Sequence, residues 1–194
     1  VEYLIEKQEL SLFRGNSGAS QTPFRNSYHQ LDMYCDRIVW NKESPQLRLT
    51  YTKNASRRFA FFESTNFYSQ RLYDQLQGMA RVHPLVVINN YAYKYDQYEI
   101  EEGKVATLLG QTVQQAKPQL LQLASFGFLS YDTDNGMITV LPKLENYIKN
   151  RAGIRDYDNI VFMSDLNEKR MEKVDQNGQP IERDSNFYAQ QKAI

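Results

Sequence analysis

One cysteine and two histidines in 194 residues remove much chemistry at once. Cys35 alone forms no internal disulfide, and a disulfide framework is excluded. It also rules out a thiolate zinc site, and with only His29 and His83 a histidine-rich metal site is equally out of reach. Charge of one sign is missing too: 23 Lys and Arg meet 23 Asp and Glu. A dedicated nucleic-acid binder usually carries a basic excess, so neutrality argues against one. No run approaches the roughly 18–20 apolar residues of a membrane helix. The longest, such as Leu85–Ile88, suit a core. No basic start leads into an apolar stretch, so nothing reads as a signal peptide. The first residue is Val, as expected of a processed chain or an excised fragment. The compartment stays open, because one cysteine suits the cytosol and a disulfide-free envelope protein alike. A Gly-rich phosphate loop is lacking as well: Gly15-Asn16-Ser17-Gly18 has neither the spacing nor the Lys-Ser/Thr of a P-loop.

What is present is a core. Hydrophobic residues make up 41% and aromatics 13%, enough for one large domain or two small ones. Residues 1–63 read as a β-rich segment. Leu31–Trp40 reads as one strand with Leu31, Met33 and Cys35 on one face. Gln46–Thr52 alternates, with Leu47, Leu49 and Tyr51 opposite Arg48 and Thr50. Arg58–Glu63 is aromatic-rich, as strands are. Turn clusters at Asn41–Pro45 and Lys53–Ser56 make these three an antiparallel meander. Glu2–Leu12 fits a strand or a helix, and Gly15–Pro23 is a polar loop.

From Ser64 the period becomes helical. The spacing predicts a connecting helix from a Ser64 cap to a Gly78 stop, within residues 64–83. A second helix runs from Pro84 to about Tyr95, with Leu85, Ile88 and Ala92 inward. Tyr98–Ile100 reads as a short strand and Glu101–Leu109 as an amphipathic helix. A turn follows, then a helix from Val113, capped by Thr112, to Phe126. Pro118 lies inside it and predicts a late start or a kink, since proline removes a backbone donor. Phe128–Asp132 and Met137–Leu141 form a hairpin around Asp134-Asn135-Gly136, read as a type I′ turn. Lys143–Arg151 closes as a helix with Leu144, Tyr147 and Ile148 on one side, and Asn159–Ser164 is a further strand. The fold class is therefore α+β.

Helix, short strand, helix, turn, helix, hairpin over residues 84–152 resembles a winged helix-turn-helix domain. Leu123-Ala124-Ser125-Phe126-Gly127-Phe128-Leu129 looks like that family's entry into the wing, and Leu109-Gly110 stands at the distance of its turn. The resemblance implies that the helix beginning near Val113 would enter a DNA major groove. Gln114, Gln115 and Lys117 would then be the contacts, glutamine being able to read adenine edges. Phosphate affinity needs several cations. Yet Tyr98–Arg151 holds five basic residues against six acidic ones, and the wing tip is Asp132-Thr133-Asp134. The expected role is thus a non-catalytic structural or protein-interaction module: a winged helix embedded in a larger β-rich protein. Its partner would be another protein or the remainder of a longer chain. The alternatives are a DNA-binding transcription regulator and a hydrolase-type enzyme.

Other candidates have plainer explanations. His29, among Asn26, Ser27, Tyr28 and Asp32, could act as a base, but an ordinary loop histidine accounts for it. His83 precedes Pro84 and fits a helix start. Asp156-Tyr157-Asp158-Asn159 clusters oxygen donors without the glycine and distal glutamate of an EF-hand, so a charged turn explains it. Asn54-Ala55-Ser56 matches a glycosylation triplet, frequent by chance. Lys53, Arg57 and Arg58 form the strongest basic cluster. With Tyr91, Tyr93 and Tyr95 they make the expected partner-contact patch. No cofactor, metal or small-molecule substrate is expected. After Ser164 the chain is polar, with a hairpin expected at Asn177-Gly178 and the segment extending away. Asn26–Tyr34 and His83-Pro84-Leu85 look similar to segments of large, uncharacterised bacterial envelope proteins. That resemblance implies an extracytoplasmic setting and an assembly role.

Overall fold

The computed structural model describes residues 1–14, 22–44, 46–50 and 59–165. The Lys53–Ser56 turn, the basic cluster Lys53, Arg57 and Arg58, the glycosylation triplet and the C-terminal hairpin lie outside these residues.

The protein is α+β, with three antiparallel sheets and five α-helices among the described residues. The N-terminal ambiguity resolves as a hairpin. β1 (Glu2–Leu4) turns through a 3₁₀ segment, Ile5–Lys7, into β2 (Glu9–Phe13). β3 (Phe24–Asn26) and β4 (Leu31–Tyr34) pair next, then β5 (Arg37–Asn41) and β6 (Leu47–Thr50). β7 (Phe59–Ser64) completes the N-terminal strands. The first sheet has the order β1-β2-β5-β6. The second, once β11 (Val161–Asp165) joins, has the order β11-β7-β4-β3.

Two expectations fail here for one reason. Leu31–Trp40 is two strands in different sheets, and β7 pairs with β4 and β11, so β5, β6 and β7 are no meander. The break falls at Cys35-Asp36. The Asp36 N–H donates to the Thr50 carbonyl at 3.1 Å and its own carbonyl accepts from Arg14 N–H at 2.9 Å. Its backbone is thus already committed to the first sheet. Alternation along the chain is blind to such a change of sheet. The buried positions of β4 are Asp32 and Tyr34, while Leu31 and Met33 are half-buried.

The expected helix from Ser64 begins later. Ser64 ends β7, and α1 (Gln70–Gln77) starts after Ser69, whose hydroxyl accepts from Leu72 N–H at 3.3 Å. Gly78 ends it, at φ +53°. α2 (Pro84–Tyr95), β8 (Glu99–Glu101) and α3 (Glu102–Leu108) follow within one residue of their expected bounds. α4 (Val113–Ser125) starts where expected and continues past Pro118. Thr112 explains this: its hydroxyl accepts from Gln115 N–H while Gln115 Oε1 accepts from Thr112 N–H, a reciprocal cap. β9 (Leu129–Asp132) and β10 (Met137–Val140) form the hairpin, and β10 also pairs with β8, giving the order β8-β10-β9. The turn is not type I′. Asp132 pairs with Met137, leaving four loop residues, and only Gly136 among them has positive φ. The Asp132 carboxylate accepts from Asp134 and Asn135 N–H and stabilises the loop instead. α5 (Pro142–Arg151) closes the unit.

A single apolar cluster fills the helical half. Leu85 and Ile88 of α2, Leu120 and Leu123 of α4, and Phe128, Ile138, Leu144 and Tyr147 are essentially inaccessible. Each such side chain contributes roughly 1.5–3 kcal/mol. Tyr68 and Leu76 belong to the same cluster, so residues 64–83 pack into this core.

Candidate functional site

Where the second sheet meets α5, a charged cluster is buried. Asp32 on β4 and Glu63 on β7 lie directly opposite one another in the ladder. Two carboxylates so placed repel unless a cation intervenes. Lys143, in the first turn of α5, supplies it. Its Nζ lies 2.9 Å from Asp32 Oδ2, touches Glu63 Oε1 and lies 3.3 Å from the Tyr34 hydroxyl. The side chains of Lys143, Asp32 and Glu63 are only 4%, 7% and 9% exposed. The Tyr34 hydroxyl donates to Glu63 Oε1 at 2.7 Å. Burial, and then the Glu63 carboxylate, drive its pKa far above the usual tyrosine range. It therefore stays a donor. The Tyr34 and Phe128 rings face the ammonium at 5.9 and 5.7 Å. Gly127 closes the site from α4's end: at φ +77°, a Cβ there would meet Pro23 at 2.9 Å.

Sequence reasoning missed this cluster. The sequence places Asp32 and Glu63 in separate strands and Lys143 at the head of the closing helix, and nothing local joins them. One signal was present: Glu63 ends an aromatic run, Phe59–Phe62, where a carboxylate needs a partner. Cys35 adjoins the cluster, is fully buried, and its thiol is pushed up to about 12, chiefly by burial. It is therefore no thiolate nucleophile at neutral pH.

The residues expected to touch DNA sit on α4. Gln114 and Lys117 are exposed. Gln115 is exposed as well, but its side-chain oxygen is engaged in the Thr112 cap. This face borders a cleft of about 560 Å³, lined by Gln75, Gln77, Met79, Gln115, Pro118 and Gln122 among others. Thus α1 and the loop after it flank the helix surface that a major groove would have to receive.

The tyrosine stretch divides. Tyr91 and Tyr95, one turn apart on α2, pack at 4.8 Å between ring centroids, with Tyr91 half-buried on the core. Tyr93 points elsewhere and is 76% exposed. Lys104 and Lys94 lie over the Tyr91 and Tyr95 rings at 5.5 and 5.2 Å. Two of the three tyrosines therefore pack on one another within the chain, while Tyr93 and Tyr95 remain exposed.

The first sheet shows what the sequence did not locate. Tyr3, Leu10, Trp40 and Leu47 lie opposite one another across all four strands, so they form one row on one face. Leu12, Ile38 and Leu49 form the next row of that face. The second row is half-buried to buried, whereas Tyr3, Trp40 and Leu47 are 52%, 42% and 55% exposed. The opposite face is mixed: Glu9 pairs with Arg48 at 3.3 Å and Arg37 at 3.6 Å, Arg37 donates to Ser11 Oγ, and Ser11 and Val39 beside them are buried. On the second sheet, the edge strand β11 exposes Val161, Phe162 and Met163.

The two histidines fall to structure. His29 is exposed, its ring edge-on to Tyr28. His83 is buried at the head of α2, accepting from Leu85 N–H through Nδ1 and lying 2.9 Å from the Tyr73 carbonyl through Nε2. Asp156 and Asp158 form no metal-competent cluster among the described residues. Comparison with models of protein families, with curated proteins and with solved structures finds no match to this chain.

Proposed function

We propose that this chain is a non-catalytic structural or protein-interaction module in which a winged-helix-like unit, residues 84–152, is braced against the second antiparallel sheet. Its partner is a protein surface or the remainder of a longer chain. The observation that carries this reading is the apolar row Tyr3–Leu10–Trp40–Leu47. An antiparallel sheet keeps one face wet and buries the other. Here one face carries the Glu9–Arg37–Arg48 ion pairs beside buried Ser11 and Val39, and the other leaves three large apolar side chains in solvent. Contiguous exposed apolar surface of this kind marks contact sites. The α4 surface supports the same preference over DNA: Lys117 is the one cation of that helix, and Gln115 is tied to its own cap.

A photo-crosslinking amino acid placed at Leu47 or at Tyr3 is expected to capture one discrete protein in cells. The same probe at Arg48, one residue on but on the opposite face, is expected to capture none. Equal capture at Leu47 and Arg48, or none at either, overturns the reading. Saturable, salt-sensitive duplex binding weakened by Lys117→Ala would instead favour the DNA regulator.

A further inference from the structure

The Lys143 cluster brings together an amine, a carboxyl able to receive it and a second carboxyl able to move protons, all screened from water. We propose that Lys143 and Asp32 join in an intramolecular isopeptide bond, with Glu63 as the proton-transfer group. Three observations carry this. Lys143 Nζ lies 2.9 Å from Asp32 Oδ2. Glu63 Oε1 contacts the same Nζ and is held in place by the Tyr34 hydroxyl at 2.7 Å. All three side chains are more than nine-tenths buried, beneath the Tyr34 and Phe128 rings.

In water an ammonium and a carboxylate do not condense, because the charged pair is strongly solvated and water is the product. Burial removes that solvation and makes separated charge costly. Proton transfer from the Lys143 ammonium to the Asp32 carboxylate leaves a neutral amine beside a neutral acid. Held in contact, the two react as one molecule with a large effective concentration. The Nζ lone pair then attacks Asp32 Cγ, forming the C–N bond. Glu63 takes a proton from the attacking nitrogen and delivers it to the departing hydroxyl. The C–O bond breaks, water leaves, and Nζ keeps one hydrogen as an amide. An ammonium and a carboxylate become an amide and one water, with no change of oxidation state. Asp32 is the acyl partner because the Glu63 oxygen nearest Nζ is the one Tyr34 holds, which suits it to proton transfer.

The bond would tie β4 to α5 across 111 residues of sequence, in a chain whose single cysteine allows no disulfide. It does not depend on the partner surface of the first sheet.

The test is the intact mass of the purified, folded and then denatured full chain. The expected mass is one water below that of the sequence, and a tryptic digest is expected to contain a branched peptide joining the Asp32 and Lys143 segments. A chain at full sequence mass overturns the proposal and leaves an ion pair. Lys143→Arg, which keeps the charge, is expected to restore the full mass. Asp32→Asn is expected to lose ammonia in place of water. Glu63→Gln, shown folded by circular dichroism, is expected to stay at full mass. Water loss that survives in Lys143→Arg, or without the branched peptide, overturns the bond. Water loss that survives Asp32→Ala overturns the assignment to Asp32.

Discussion

His83 heads α2 in the neutral form that its two hydrogen bonds require: Nδ1 accepts from Leu85 N–H, and Nε2–H donates to the Tyr73 carbonyl. Burial lowers its pKa below the ordinary 6.5, against a smaller upward pull from the Tyr73 bond. The unfolded chain therefore takes up a proton first as pH falls. Stability from this site is complete above the ordinary value and is lost as pH drops from there through the lowered folded value. Urea midpoints taken across that range are expected to fall with acidity, and His83→Asn, which keeps a capping side chain, to fall less. An equal slope in both would remove His83 as the cause. At Cys35 the expectation is kinetic. Its raised thiol and full burial predict no alkylation of the native protein at neutral pH, and rapid labelling once denaturant unfolds it. Lys143→Met leaves two carboxylates facing each other in a dry seam. A loss of at least about 3 kcal/mol is expected from denaturant unfolding, the cost of leaving a buried charge unpaired, and more where the amide with Asp32 has formed. These three residues also show how legibility varies. The His83 helix start was readable from the adjacent Pro84. The Lys143 cluster was not, because its members are 80 and 111 residues apart and each looks ordinary alone.

Individual elements were legible where their ends carry local chemistry. α2 has the expected bounds because Pro84 opens it and Asp96, at φ +50°, closes it. α4 begins where Thr112 and Gln115 cap one another, and that cap holds the first turn despite Pro118. Thr112→Ala is expected to cost about 1 kcal/mol in chemical denaturation. Gly127→Ala is expected to cost more. It imposes about 1–2 kcal/mol for a side chain at φ +77° and a Cβ 2.9 Å from Pro23. A neutral effect would mean that Pro23 moves freely, against the close packing at the site. Elements went wrong where other hydrogen bonds overrode such a local signal. Ser64 looked like a cap, yet its backbone N–H donates to the Ile160 carbonyl as the last residue of β7. The hairpin after β9 kept its Asn-Gly signature but is governed by Asp132, whose carboxylate is held below its usual range by the Asn135 bonds.

At the scale of the molecule, two antiparallel sheets exchange chain between β2 and β3, at Cys35-Asp36 and between β6 and β7. That exchange gives the first sheet ion pairs on one face and the Tyr3–Trp40–Leu47 row on the other. It also places β4 and β7 side by side to build the carboxylate pair. If Trp40 contacts a partner, the protein's single tryptophan reports it: its emission is expected to shift blue and resist acrylamide quenching on docking. Unchanged quenching in a complex captured through Leu47 would place the contact elsewhere.

The α+β class, the order of helices and strands from Pro84 to Arg151, and the inward residues of those helices follow from local sequence. Capping groups, proline, glycine and 3.6-residue spacing all act within a few neighbours. Which strands pair, and which of their faces stays wet, does not follow from it. Pairing across sheets depends on backbone partners far along the chain, as when Thr50 and Arg14 claim the backbone of Asp36. Only tertiary packing could oppose Asp32 to Glu63, bring Lys143 between them, and line Tyr3, Trp40 and Leu47 on one open face.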